Sequence, residues 1–118
     1  FKWITYGGND RLIDLLLEKL AKPKFKKRVN LYHSTPKFPP QIEELNLEVL
    51  EKYKSRPHVG VGYEGRCEDI FPDCAVVFKN VDFIEKFLGD DDAIGATLSP
   101  KKFYDFFVNM NQLEIANG

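Results

Sequence analysis

Cysteine is scarce in this sequence, and so is histidine, its usual companion in metal sites. Cys67 and Cys74 are the only cysteines among 118 residues, and there are two histidines. Two thiols do not make a disulfide framework in a domain of this size, so a reduced compartment such as the cytoplasm is favoured, and whether the two thiols pair stays open. Neither cysteine has a histidine at the spacing of a zinc site, so no metal is expected.

Long apolar runs are also missing. No run approaches the ~20 residues that a membrane-spanning helix requires, so no membrane association is expected. The first residues do not combine a basic segment with an apolar stretch, and no signal peptide is predicted. The chain begins at Phe1 rather than at methionine, as a fragment or a processed product would, so its start does not decide the localisation.

The remaining composition is that of a globular protein with unevenly distributed charge. Hydrophobic residues make up 43% and charged residues 30%, with ten Phe and five Tyr to fill a core. The length predicts a single domain over residues 1–118. The first 59 residues carry 12 Lys or Arg against 7 Asp or Glu, whereas the other 59 carry 5 against 11. The acidic second half is therefore a candidate surface for a basic protein partner.

Periodicity predicts a mixed α and β (α+β) domain built around one mixed sheet. Apolar residues at helical spacing indicate helices, and short alternating or apolar runs indicate strands. Ser99 is a good N-cap for the last helix, with Pro100 in its first turn. The element order is roughly β-α-β-α-β-β-α-β-α. The predicted strands are 1–6, 26–35, 58–63, 74–78 and 93–98, with 112–116 as a candidate short last strand, and the helices are 10–20, 42–53, 81–88 and 100–110.

The stretch His58-Val-Gly60-Val-Gly62-Tyr-Glu-Gly65 has the glycine spacing of a dinucleotide-binding loop. Such a loop needs a helix directly after its glycines, so that the helix N-terminus faces the pyrophosphate. The residues after Gly65 lack helical periodicity and include Pro72, so this interpretation is not favoured. Gly60 and Gly62 instead predict a strand with one smooth face, against which another part of the protein or a flat ligand can rest.

Charged clusters offer further candidate sites. The basic run from Lys22 to Arg28 places five cations in seven residues. It can bind nucleic acid or another anionic ligand, or it can be a solvated loop. The acidic run Asp90–Asp92 lacks the ligand spacing of a calcium loop and predicts a solvated turn. His33 and His58 would suit the acid–base chemistry of a nuclease if the fold brought them together.

Several short motifs follow one another along the chain. Tyr32-His33-Ser34-Thr35 ends a predicted strand, and a segment from Ile42 to Leu47 follows. Gly60-Val-Gly62-Tyr63 lies in the next strand, and a carboxylate, Glu114, comes late in the chain. In this order the motifs resemble those of ADP-ribosyltransferases, and the resemblance covers residues 29–63 and, loosely, the C-terminal tail.

The resemblance implies an NAD-dependent ADP-ribosyl-transfer domain, active or degenerate. In that family a histidine orients the nicotinamide ribose, an aromatic ring stacks on the nicotinamide, and a carboxylate polarises a ribose hydroxyl as positive charge builds on the sugar. These catalytic roles fall on His33, Tyr63 and Glu114. The alternative is a non-enzymatic interaction module, such as a toxin-neutralising immunity-type protein that binds a basic partner. The residues that the resemblance assigns to NAD binding are Tyr32, Ser34, Thr35 and Gly62.

Overall fold

Helices and short strands alternate over the first part of the chain, and three strands follow one another before the last helix. The computed structural model describes residues 10–20, 29–56, 59–90 and 97–118. The predicted strand at 1–6 and the basic run at 22–28 lie outside these ranges. The helices are α1 (Asp10–Lys19), α2 (Val49–Lys54), α3 (Phe71–Phe78) and α4 (Pro100–Asn117), with a 3-10 helix at Ile42–Glu44. The strands are β1 (Asn30–His33), β2 (Gly60–Glu64), β3 (Phe83–Glu85), β4 (Phe87–Leu88) and β5 (Thr97–Leu98).

Each strand in the described ranges pairs in parallel with its neighbour. β1, β2 and β3 form a three-stranded sheet with β2 in the centre, and β4 pairs with β5. Only Lys86 separates β3 from β4, so the three-stranded sheet and the β4–β5 pair are connected through a single residue. Parallel neighbours need a crossover after each strand. α2 provides the crossover from β1 to β2, and α3 provides the one from β2 to β3.

One face of the three-stranded sheet carries the hydrophobic core. Side chains alternate between the two faces of a strand, and this face contributes Leu31, Val61 and Tyr63, each no more than 2% exposed. Burying a large apolar side chain stabilises a fold by about 1.5–3 kcal/mol. Residues of α1, α2 and α3 pack against this face. The helical residues in the same cluster are Ile13, Leu50, Tyr53 and Val76.

Residues 74–88 differ from the sequence-based prediction. The predicted strand at 74–78 is the second half of α3, and the predicted helix at 81–88 consists of β3 and β4. A short apolar run does not by itself distinguish a buried strand from a buried helix. Pro72 lies in the first turn of α3, where proline is favoured. Asn80 has a φ of 55° and directly follows Lys79, the C-cap of α3, so it ends that helix, and the element after it is β3 and not a helix.

The predicted helix at 42–53 is also divided. The 3-10 helix ends at Glu44, Asn46 adopts a φ of 45°, and α2 begins at Val49. Asparagine tolerates the left-handed conformation better than most residues. Asn46 therefore interrupts the helix, which the spacing of the apolar residues alone does not predict. The candidate strand at 112–116 belongs to α4. The N-cap of α4 is Ser99, as predicted, and its hydroxyl accepts a hydrogen bond from the backbone of Lys102 at 3.3 Å.

The predicted mixed α and β domain is confirmed. The pairing is parallel throughout the described strands, which the expectation of a mixed sheet did not anticipate. Within the described ranges, no helix is both long enough and apolar enough to cross a membrane.

Candidate ligand site at the carboxyl ends of the strands

The sheet face opposite the core becomes polar toward the carboxyl ends of the strands. Tyr32, Gly62 and Phe83 are register partners on this face. One pleat further along, Glu64 is the register partner of Glu85. In open parallel α/β sheets and barrels, ligands bind outside the carboxyl ends of the strands. This edge is therefore the candidate site.

Two glycines allow the side chains of β1 to lie across β2. A Cβ added at Gly62 would lie 2.6 Å from Cδ1 of Tyr32, and one at Gly60 would lie 3.1 Å from Cγ of Asn30. The Tyr32 ring is tilted against Phe83 at a centroid distance of 6.1 Å and is 4% exposed. The smooth strand face predicted from the glycine spacing therefore accommodates the protein's own tyrosine ring and not a nucleotide.

A guanidinium and a carboxylate form the centre of the site. Arg66 follows β2 and contacts Glu64 Oε2 through Nε at 3.2 Å and Nη2 at 3.1 Å. The hydroxyl of Ser34 donates to the same oxygen. The guanidinium carbon lies 5.7 Å from the ring centroid of Phe87, which meets Phe38 edge to face at 5.2 Å. The Glu64 carboxylate and the Phe87 ring therefore both restrict the orientation of the Arg66 side chain.

A second carboxylate stands beside the first. Glu85 lies close to the hydroxyl of Tyr32. Partial desolvation raises the pKa of Glu85 and repulsion from Glu64 adds to the rise, whereas the neighbouring Tyr32 hydroxyl opposes it. Burial raises the pKa of Tyr32, and the charge of Glu85 contributes. Glu85 is exposed to solvent, and its carboxyl group holds a proton more readily than that of an ordinary glutamate.

An open depression of about 630 Å³ lies along β3 beside this cluster, lined by Tyr32, Asp82, Phe83, Ile84 and Glu85. Tyr32 and Glu85 therefore border it, whereas Arg66 and Glu64 are not among its lining residues. In the part of the chain that the structure describes, no group of three or more His, Cys, Asp or Glu is placed to hold a metal ion. The site offers a guanidinium, two carboxylates, hydroxyls and aromatic rings. This set matches a small anion that carries several hydroxyl groups.

The three residues predicted to be catalytic are not brought into one cleft. Tyr63 is 1% exposed within the core. His33 faces the same side, with Nε2 2.5 Å from the carbonyl oxygen of Leu45 and a ring centroid 6.4 Å from that of Tyr63. Glu114 lies in α4 and lines a separate cavity of about 500 Å³ with Asn80, which precedes β3. The residues that line this cavity include neither His33 nor Tyr63, so the carboxylate does not share a cleft with the imidazole or with the phenol ring.

Three of the four residues predicted to bind a cofactor lie in or beside the site. Tyr32 and Ser34 contact its two carboxylates. Gly62 provides the surface under the tyrosine ring. Thr35 is 8% exposed and donates its hydroxyl to the carbonyl oxygen of Glu44 at 3.4 Å, so it faces the 3-10 helix instead.

The charged centre of the site was not predicted from the sequence. Glu64 and Arg66 directly follow a correctly predicted strand, and this position was the available signal. Using it required knowing that the strand is parallel to its neighbours, because only then do the strand ends gather at one edge. Glu85 was concealed by the incorrect helix at 81–88.

A parallel sheet with crossover helices and a polar cluster at its carboxyl edge defines an α/β domain of the kind that binds small molecules. The NeuB family model matches residues 10–118, and the chain belongs to this family. The fold is similar to that of the N-acetylneuraminic acid (sialic acid) synthetase from Leptospira borgpetersenii serovar Hardjo-bovis, solved in complex with citrate, with a TM-score of 0.82 and 19% identity. The match covers 98% of this chain and 42% of the synthetase chain, so this chain spans less than half the length of that relative. No curated protein matches.

These findings correct the functional predictions. The ADP-ribosyltransferase interpretation is wrong because the chain belongs to a different family, and the toxin-neutralising alternative is unsupported for the same reason. The predicted NAD cofactor is also wrong, since NeuB-family synthetases are not NAD-dependent. The misleading motif includes His33 and Tyr63, which face the core. Binding of a protein partner through the acidic half stays a prediction, and the basic run at Lys22–Arg28 lies outside the described residues.

Proposed function

We propose that this chain binds a sugar acid of the sialic acid type at the carboxyl ends of its parallel strands, as part of a sialic acid synthetase-like enzyme. Family membership and the fold shared with a synthetase support the proposal. The observation that carries it is the Arg66–Glu64 pair at this edge. Because the chain spans 42% of that synthetase, the proposal concerns ligand binding and not a complete catalytic cycle.

Arg66 is the residue that binds the carboxylate of the ligand. A guanidinium has five N–H donors, and Glu64 engages two of its nitrogens, so donors are left for a ligand. The side chain is 28% exposed, which lets a ligand reach it while Glu64 and Phe87 set its direction. Paired hydrogen bonds from a guanidinium to a carboxylate are among the stronger polar contacts in proteins.

The two glutamates and the aromatic rings suit the remainder of a sugar acid. Carboxylates accept hydrogen bonds from hydroxyl groups, and Glu64 and Glu85 lie side by side. Phe38 is 46% exposed and packs against Phe87, so it offers an apolar surface to one side of a sugar ring. A pocket with apolar walls and a few fixed polar groups is the usual form of a small-molecule site.

The charge at the site predicts how binding depends on pH. With Glu64 and Glu85 both ionised and Arg66 charged, the cluster carries one net negative charge, which opposes an anionic ligand. A proton on Glu85 removes this opposition, and its pKa is already raised. We therefore expect the sugar acid to bind more tightly as the pH falls from neutral toward the pKa of Glu85, as long as the ligand carboxylate stays ionised.

Calorimetric titration of the chain with N-acetylneuraminic acid tests the proposal, and its methyl ester, which lacks the negative charge, is the matched ligand. Charge-assisted hydrogen bonds contribute about 1.5–3 kcal/mol, so Arg66→Ala is expected to weaken binding of the acid roughly 10- to 100-fold. The ester should bind weakly and equally to both proteins.

Arg11→Ala is the control, since Arg11 is an exposed arginine on α1, and α1 contributes none of the residues described at the site. It should leave the affinity for the acid unchanged. The proposal is overturned if the unaltered chain does not bind the acid at millimolar concentration, or if Arg66→Ala binds it as tightly as the unaltered chain does.

A further inference from the structure

A fully buried ion pair lies directly behind the candidate site. The side chain of Asp73, in the first turn of α3, is 0% exposed and that of Lys86, between β3 and β4, is 1% exposed, with Nζ 3.1 Å from Oδ2. The other carboxylate oxygen, Oδ1, makes no hydrogen bond to another side chain in the described residues. Burial raises the pKa of Asp73, and the ammonium of Lys86 opposes the rise.

The ion pair contacts both strands that carry the site. Gly65 lies between Glu64 and Arg66 in sequence, and its N–H donates to the carbonyl oxygen of Glu85 at 2.9 Å. A Cβ at Gly65 would clash with Asp73 Oδ1 and would lie 3.0 Å from Nζ of Lys86. Since side chains alternate between faces, the residues of the ion pair lie on the side opposite the site residues next to them.

Stability alone does not explain such a pair. Desolvating two charges is costly, and replacing a buried ion pair with apolar side chains of similar size is often neutral or stabilising. The Lys86 ammonium also lies 5.5 Å from the ring centroid of Phe106 in α4, so apolar neighbours are at hand. An ion pair fixes the distance and direction between the two groups that it joins, which an apolar contact does not do.

We propose that the Asp73–Lys86 pair has a positioning role. It joins the first turn of α3 to the end of β3, so that Arg66 and Glu85 are held where both can contact the same ligand. The proposal rests on the proposed function for the identity of that ligand. Lys86 is followed by Phe87, the ring that holds Arg66, so a shift at Lys86 displaces both Glu85 and the aromatic support of the guanidinium.

The double variant Asp73→Leu with Lys86→Met tests the proposal by replacing the pair with apolar groups. We expect the protein to stay folded, with a urea midpoint no lower than that of the unaltered chain. We expect its affinity for N-acetylneuraminic acid to fall at least tenfold. A ligand-free readout is the pKa of Glu85 from carbon-detected NMR, which should decrease toward the ordinary glutamate value as the carboxylate moves away from Glu64 and becomes solvated.

Asp73→Asn with Lys86→Met is the second variant, and it decides the matter if the first double variant does not fold. It keeps the shape of Asp73 and removes both charges, so no ammonium is left buried without a counter-charge, and both readouts should shift in the same directions. The control replaces a surface pair, Lys79 and Glu48 (3.2 Å apart), by Lys79→Met with Glu48→Gln and should change neither readout.

The outcomes separate the two proposals. If the unaltered chain binds no sugar acid, the proposed function fails, and the pKa of Glu85 alone judges the positioning role. If a folded variant lacking the charge of Asp73 keeps both the ligand affinity and the Glu85 pKa of the unaltered chain, the positioning role is overturned.

Discussion

Replacing Gly62 with alanine places a methyl group where the ring of Tyr32 already lies. The added Cβ would be 2.6 Å from Cδ1 and 2.9 Å from Cζ of that ring. Tyr32 is 4% exposed and packs against Phe83, so the ring cannot turn away without losing buried contacts. Overpacking costs about 1–3 kcal/mol, and the lower chain entropy of alanine offsets roughly 0.5–1 kcal/mol, so the free energy of unfolding should fall by about 1–2 kcal/mol.

Urea denaturation followed by circular dichroism measures this loss, which corresponds to a decrease of roughly 0.5–1 M in the midpoint. The sharper test repeats Gly62→Ala in a Tyr32→Ala background, where the ring is absent. There the substitution should be neutral or should stabilise by about 0.5–1 kcal/mol. The change of sign identifies the ring as the cause. An equal loss in both backgrounds, or no loss in the first, refutes the reasoning.

Two further predictions concern a helix end and a titrating group. Ser99→Ala removes the N-cap of α4 and should lower the free energy of unfolding by about 1 kcal/mol. Ser99→Thr keeps a hydroxyl at the N-cap and should retain most of the stability that Ser99→Ala loses. Equal losses for the two variants in urea denaturation would contradict the capping role. The pKa of Glu85 is raised in the folded protein, so the folded state binds the proton of this carboxyl group more tightly than the unfolded state does. The folded state therefore loses stability as the pH rises through the folded pKa of Glu85. Glu85→Gln should therefore stabilise the protein at pH 7 and lose this advantage below about pH 4, near the unfolded value. A gain that is the same at both pH values would exclude ionisation of Glu85 as its source.

The elements that were correctly predicted have strong local signals. Ser99 followed by Pro100 marks the start of α4 because a hydroxyl and a missing N–H both suit the first turn of a helix. The alternation around Gly60 and Gly62 marks β2. In both segments the local preference and the tertiary structure agree.

The elements that were wrongly predicted are short and apolar. Residues 74–78 are hydrophobic on every side, as a buried strand or a buried helix would be, and the choice depends on what surrounds them. At 81–88, apolar residues at helical spacing lie in β3 and β4, where pairing with neighbouring strands outweighs a weak helical pattern. At 42–53, one left-handed residue, Asn46, divides what the apolar spacing joins.

The residues of the candidate site were likewise predicted only in part. Tyr32 and Ser34 were singled out for a motif that belongs to another family, and they nevertheless lie at the polar edge. His33 and Tyr63 belong to the same motif and face the core, because adjacent positions in a strand face opposite sides. A motif read along the chain does not reveal which of its side chains share a face with residues from other strands.

By itself, the amino-acid order determined α1, β1, β2 and the start of the last helix, because these depend on neighbours within about one turn. The tertiary structure decided that the strands run parallel and that Glu64, Arg66 and Glu85 meet at one edge. It also decided that Asp73 and Lys86 are buried together behind them. These contacts join residues distant in sequence, and their energies depend on burial and on the direction of each strand, neither of which exists until the chain has folded.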